Sequence, residues 1–353
     1  MFIFDSRSAT VIFFVFTLSE YLICMKYINY EYNYKNAWFN ILLSVILTPL
    51  YFVLLFKKEN RNKVMDYCKR ENRIKLLFPF ITGILYTIET VLLFYALNTM
   101  TLSYYTTIRS GFILFNIPYF KYLLHKKITK IYLISCYLLV ISHGIIIANY
   151  VYISTTAATA TTATNTTNAL HELINNTIII YITCFLNATY NNIIEYSIKK
   201  YNISNIDYQI FFQITYLFII IGPSIYYTVL DPPPVNSLTL FLYFLIAFGL
   251  QLYMYNKIYI LNNKNEFLPA NILMSSLDLL RRIIQLLFSF LFFNEQFDLY
   301  VVLSLVFFGI SSLLLLYQYF LNNNNKAILP MHFQQRSFQH QRSFQHIELK
   351  EIM

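Results

Sequence analysis

Apolar stretches of about 20 residues recur along the whole chain, separated by shorter polar ones, and each is long enough to cross a bilayer as a helix. Ten such spans are predicted. They start near Thr10, Trp38, Leu76, Thr101 and Lys130, then near Asn176, Ile206, Leu238, Pro269 and Phe297. The second five follow the first five at an offset of about 168 residues, which points to an internal duplication. Five is an odd number, so the second half has to enter the membrane in the opposite orientation. The expected fold class is an all-α membrane protein: ten transmembrane helices arranged as two inverted five-helix repeats, an architecture typical of secondary transporters. The first repeat, with a cytosolic N-terminus, is placed at 1–150 and the second at 176–320. Between them, 151–175 reads as a disordered Thr/Ala-rich lumenal loop. Residues 321–353, with the repeat "RSFQHQRSFQH", read as a disordered cytosolic tail.

Composition sharpens this picture. The 353 residues are 57% hydrophobic and only 12% charged, which excludes an ordinary soluble domain. The net charge of +9 would raise nucleic acid in a soluble protein. Here it concentrates in loops of one side, "KKENRNKVMDYCKRENRIK", "HKKITK" and "KKYNIS", while "DPPPVNS" and "NEQFD" on the other side lack Lys and Arg. Nucleic acid is therefore not an expected partner, and both termini are expected in the cytosol. Sequons at Asn165 and Asn175 then face the lumen or exterior as candidate glycosylation sites, whereas Asn202 faces the cytosol. The four cysteines show no disulfide or zinc spacing, and no metal or cofactor is expected. All six glycines fall inside spans, where small residues let helices approach closely.

Ionisable residues inside spans rarely face lipid, so they mark the bundle interior or a wet cavity. Glu89 in span 3 and Arg109 in span 4 stand out, and in span 9 the residues Asn271, Ser275, Asp278, Arg282, Gln285 and Ser289 share one helix face. Asn187 and Asn191 lie at four-residue spacing in span 6. The repeat offset carries Glu89 onto Lys257 and Arg109 to within one residue of Asp278, so acid in one half answers base in the other. The candidate substrate cavity is therefore Glu89, Arg109, Asn187, Asn191, Asp278, Arg282 and Gln285. Glu20, Glu195 and Lys257 are candidates for coupling or gating. Against this stands the use of polar side chains as glue between membrane helices, and snorkelling of Arg109 toward the near end of its helix.

The stretch "LLFPFITGILYTIETVLLFYALNTMTLSYYTTIRSGFILFN" resembles the span 3 to span 4 region of the drug/metabolite transporter superfamily. It is most similar there to solute carrier family 35 F-type and chloroquine-resistance-transporter-like proteins. Their "ALN…S…LRG" pattern is matched by Ala96-Leu97-Asn98, Ser103 and Ile108-Arg109-Ser110-Gly111. Glu195 followed by "KKYNIS", and Leu277-Asp278-Leu279-Leu280-Arg281, resemble the ends of span 6 and span 9 in that branch. Tyr196 stands where the family has a second Glu, Gln213 where it has Trp-Glu-Gly, and "DPPPVNS" carries no cysteine, which favours the solute carrier type.

The expected function is secondary transport of a small polar metabolite by alternating access, with a small-molecule solute, a coupling proton or counter-substrate, and membrane lipid as partners. The resemblance implies a nucleotide sugar or a phosphorylated, peptide-like or cationic solute. It also places the protein in an endomembrane (Golgi, lysosome or vacuole), the plasma membrane being the other site. The alternative is a non-transporting membrane scaffold or receptor that retains the fold. An enzyme is not expected, since the histidines show no catalytic or metal-ligand spacing.

Overall fold

The computed structural model describes Lys26, Tyr34 and residues 36–45, 58–67, 69, 73–125, 128–159, 163–201, 203, 205–232, 281–287, 289–291 and 298–327. Among these the chain is helical almost throughout. In order come α1 (Ala37–Val45), α2 (Lys58–Tyr67), α3 (Arg73–Thr99), α4 (Leu102–Arg109) and α5 (Phe112–Pro118). They are followed by α6 (Lys130–Thr159), α7 (Ala163–Tyr201), α8 (Asn205–Leu230) and α9 (Leu299–Ala327). Residues 281–287 and 289–291 are helical as well. Among the described residues, four helical stretches are long and apolar enough to cross a membrane: Arg73–Thr99, Lys130–Ile153, His171–Tyr201 and Asp207–Leu230. Leu299–Leu315 is apolar but shorter. The protein is an integral membrane protein, and its surface agrees with that. Phe218, Val229, Tyr137 and Leu291 point outward, while Ser142, Thr183, Asn192 and Gln285 are buried. In water that distribution would be unfavourable; in a bilayer it is ordinary.

Helix ends are closed by named side chains. Asn36 caps two helices at once. Its Oδ1 accepts from the backbone of Trp38 (2.9 Å) and Phe39 (3.3 Å) at the start of α1. Its Nδ2 donates to the carbonyls of Tyr227 and Asp231 (both 3.1 Å) at the end of α8. Trp38 stacks on Tyr227 at 5.1 Å, so the start of α1 lies against the end of α8. The Lys26 ammonium donates to the carbonyls of Leu97 (2.9 Å) and Met100 (2.5 Å), a cation on the negative end of α3.

The span expected from Thr101 is interrupted. After Arg109 the N–H groups of Ser110 and Gly111 bond three residues back, to Thr107 (3.1 Å) and Ile108 (3.0 Å). This is a tight 3₁₀-like turn with every dihedral still in the right-handed region. After Pro118, which has no N–H to give, the chain widens into a π turn over Tyr119–Leu123. His125 ends it in the left-handed region, at φ 49°. The Thr/Ala-rich stretch expected as a disordered loop also differs: 151–159 and 163–175 are helical.

Packing follows close approaches. A Cβ on Gly83 would meet Thr215 Cβ at 2.7 Å, so α3 and α8 lie in near contact there. Tyr86 anchors the same seam, against Phe212 (5.1 Å) and Tyr216 (4.9 Å), and also meets Tyr190 of α7 (5.4 Å). Helices α6 and α9 run antiparallel along two serine pairs. Ser135 and Ser311 exchange hydroxyl-to-carbonyl bonds (2.9 Å each way), with Oγ to Oγ at 2.7 Å. Ser142 and Ser304 repeat the arrangement at 2.8 and 3.0 Å, with Oγ to Oγ at 2.9 Å.

Candidate functional site

The interrupted span positions the charge. All eight residues of α4 are buried, and Arg109 is the last of them. Glu89 projects from α3, roughly 24 Å from the start of that helix and 15 Å from its end at 1.5 Å per residue. The two meet: Arg109 Nη2 donates to Glu89 Oε1 in a direct ion pair. Arg109 Nη1 donates to Thr183 Oγ1 of α7 (3.1 Å). Glu89 is 2% exposed, Arg109 4%, Arg282 2% and Gln285 0%. Asn187 of α7 also lies within hydrogen-bonding reach of the Glu89 carboxylate, and Arg281, Arg282 and Tyr105 belong to the same electrostatic cluster.

The turn at Ser110–Gly111 is held from three sides. Tightening to three-residue bonds releases the Thr106 carbonyl from the helical ladder, and Arg282 Nη1 donates to it at 3.3 Å. The Arg282 guanidinium also sits 5.9 Å from the Phe112 ring centre. From α7, Cys184 Sγ reaches the carbonyls of Arg109 (3.3 Å) and Ile108 (3.6 Å). From α6, His143 Nε2 lies 3.0 Å from Ser110 Oγ, and its Nδ1 lies 3.2 Å from the Tyr181 hydroxyl. Gly111 is required here, because a Cβ would meet His143 Cε1 at 2.8 Å. Backbone carbonyls, a thiol, an imidazole and two guanidinium groups thus converge on one buried turn.

The remaining candidates fall as follows. Asn187 Nδ2 donates to the Tyr190 hydroxyl (2.7 Å), and Asn191 Nδ2 to the Asn187 carbonyl (2.9 Å) and Oδ1 (3.1 Å). Arg282, Gln285 and Ser289 share one buried face of their helix, and the Gln285 amide has no hydrogen-bond partner among the described residues. Glu195 pairs with Lys199 at 2.6 Å near the end of α7, away from the Glu89–Arg109 pair along the helix. Asn175 is exposed, and its Nδ2 lies 2.9 Å from His171 Nδ1. Asn165 lies within the backbone of α7. Glu20, Lys257 and Asp278 lie outside the described residues.

The acid–base matching expected between halves, Glu89 with Lys257 and Arg109 with Asp278, falls in part on residues outside the described ones. The carboxylate that meets Arg109 is Glu89, 20 residues earlier in the chain. Antiparallel packing of two successive helices brings these two groups together. Thr183, Tyr105, Cys184, Ser110 and Tyr181 were not among the sequence candidates, because single hydroxyl or thiol groups in an apolar helix look like ordinary packing residues. No protein-family model matches the chain, and no curated protein matches it at a significant level.

Proposed function

We propose that this protein is a secondary transporter of ten spans in two inverted repeats, moving a small polar solute by alternating access. The observation that carries the reading is the fully buried Glu89–Arg109 pair in membrane-length packing, joined by Arg282 from far along the chain. Charge in that position is expensive, and it is retained where a path for polar solute runs. The helix interruption beside it has the form used by transporters, in which freed backbone groups line a site.

Reciprocity between α6 and α9 supports the inverted repeat. Ser304 lies 169 residues after Ser135, and Ser311 lies 169 residues after Ser142, close to the offset of the spans. Ser135 bonds Ser311 while its counterpart Ser304 bonds Ser142, the exchange a two-fold-related contact produces. Resemblance to the drug/metabolite transporter superfamily belongs to the same reading, as do an endomembrane location and cytosolic termini. The test is reconstitution of purified protein in liposomes with a panel of labelled metabolites, comparing wild type with Arg109→Ala and Arg282→Ala. Uptake of one or more solutes by wild type and at least tenfold slower uptake by both variants is expected. Unchanged uptake in both variants would remove the site, and no uptake of any solute by folded wild type would favour a scaffold.

A further inference from the structure

Resting on that reading, we infer that the Glu89–Arg109 pair makes this an anion–proton symport site: a carboxylate- or phosphate-bearing solute takes the place of Glu89 on Arg109 when Glu89 carries a proton. Only one half of the pair can be neutralised. A guanidinium does not lose its proton in a protein, whereas a carboxylate gains one readily when it loses its partner. Both groups are buried, so whatever replaces either one must leave the charge balance of the site nearly unchanged. A cation seeking Glu89 would leave Arg109 buried, charged and displaced. An anion seeking Arg109 displaces a group that can become neutral.

The surroundings point the same way. Arg109 and Tyr105 face Glu89 from α4, and Asn187, Cys184 and Tyr190 border the pair from α7. Arg281 and Arg282 attract the carboxylate from their helix, and His143 of α6 lies near Arg282. Among the described residues, three guanidinium groups therefore act on one carboxylate. Thr183 Oγ1 already lies on Arg109 Nη1 and stays to orient the guanidinium when its other nitrogen changes partner. The cycle balances as follows. The anion and one proton enter from the same side, and the proton occupies a Glu89 carboxyl oxygen while the anion binds Arg109. On the other side the anion leaves, Glu89 releases its proton, and the ion pair re-forms, so that the empty carrier returns with the pair closed.

The experiment uses the full chain in two formats. In weakly buffered detergent solution, lactate, succinate or glycerol phosphate is added and proton uptake is read with a pH indicator; choline and glycine are the cationic and zwitterionic comparators. In proteoliposomes, accumulation of the same labelled solutes is followed with and without a pH gradient. Expected are proton uptake by the protein on adding at least one anion, and about tenfold greater accumulation per unit of pH gradient. In Glu89→Gln, whatever anion exchange remains should no longer respond to the gradient, and adding the anion should take up no proton. If Glu89→Gln does not fold, the wild-type readings decide alone. Anion transport indifferent to the gradient, without proton uptake, overturns the inference and leaves the transporter. Transport of choline or glycine with no anion accepted does the same. Failure of every solute to move counts against the transporter reading, and absence of proton uptake with all three anions then overturns the inference separately.

Discussion

Glu89 and Arg109 carry most of the argument at the scale of single residues. Removing one member of a buried pair strands the other charge, at a cost of about 3–5 kcal/mol, whereas removing both together is far cheaper. Glu89→Gln and Arg109→Gln should therefore each lower the thermal unfolding temperature in detergent, and the double variant should recover most of the loss. Additive losses in that cycle would show that the two side chains do not act as a pair. Both residues were legible in the sequence as charges in apolar spans, and so was Arg282. Their partners were not. Arg109 meets Glu89, and Arg282 meets the Thr106 carbonyl. A main-chain acceptor has no sequence signature, and which carboxylate lies nearest depends on how two helices cross.

At the scale of elements, the interrupted span is the departure from expectation that matters most. Hydropathy reads Thr101 onward as one span, because the apolar run continues across Ser110 and Gly111. The tightening at Ser110–Gly111 is decided by what presses on it: His143 from α6, Cys184 from α7 and Arg282. Two glycines then separate a packed position from an open one. At Gly111 a Cβ would meet His143 Cε1 at 2.8 Å and the Ile108 carbonyl at 3.0 Å, whereas at Gly144 nothing lies within 4 Å. Gly111→Ala is expected to destabilise by about 1–3 kcal/mol through overpacking. Gly144→Ala should be neutral, or stabilising by up to about 1 kcal/mol through helix propensity. Thermal unfolding of the two variants side by side is the check, and equal effects would mean that the turn is not held by its neighbours. The π turn follows Pro118, which withholds an N–H from the regular helix.

At the scale of the molecule, orientation is the testable quantity. The proposed orientation, with the basic loops and both termini in the cytosol, requires modification in a glycosylating host at Asn165 or Asn175 and never at Asn202. Asn165→Gln combined with Asn175→Gln should abolish the mobility shift seen on deglycosylation, and a shift that survives both but disappears with Asn202→Gln would invert the topology. The helical, membrane-integral class of the protein was settled by the sequence alone. Runs of apolar residues of bilayer length admit only helices whose backbone groups satisfy one another within the same segment. Sequence alone also picked out the charged residues, because charge in such runs has few reasons to persist. Tertiary structure decided the rest: the Glu89–Arg109 pair, the Arg282 contact with a released carbonyl, the close approach at Gly111 and the reciprocal serines between α6 and α9. Each of these depends on distances between helices, and such distances arise from the simultaneous fit of many side chains rather than from the order of residues along any one of them.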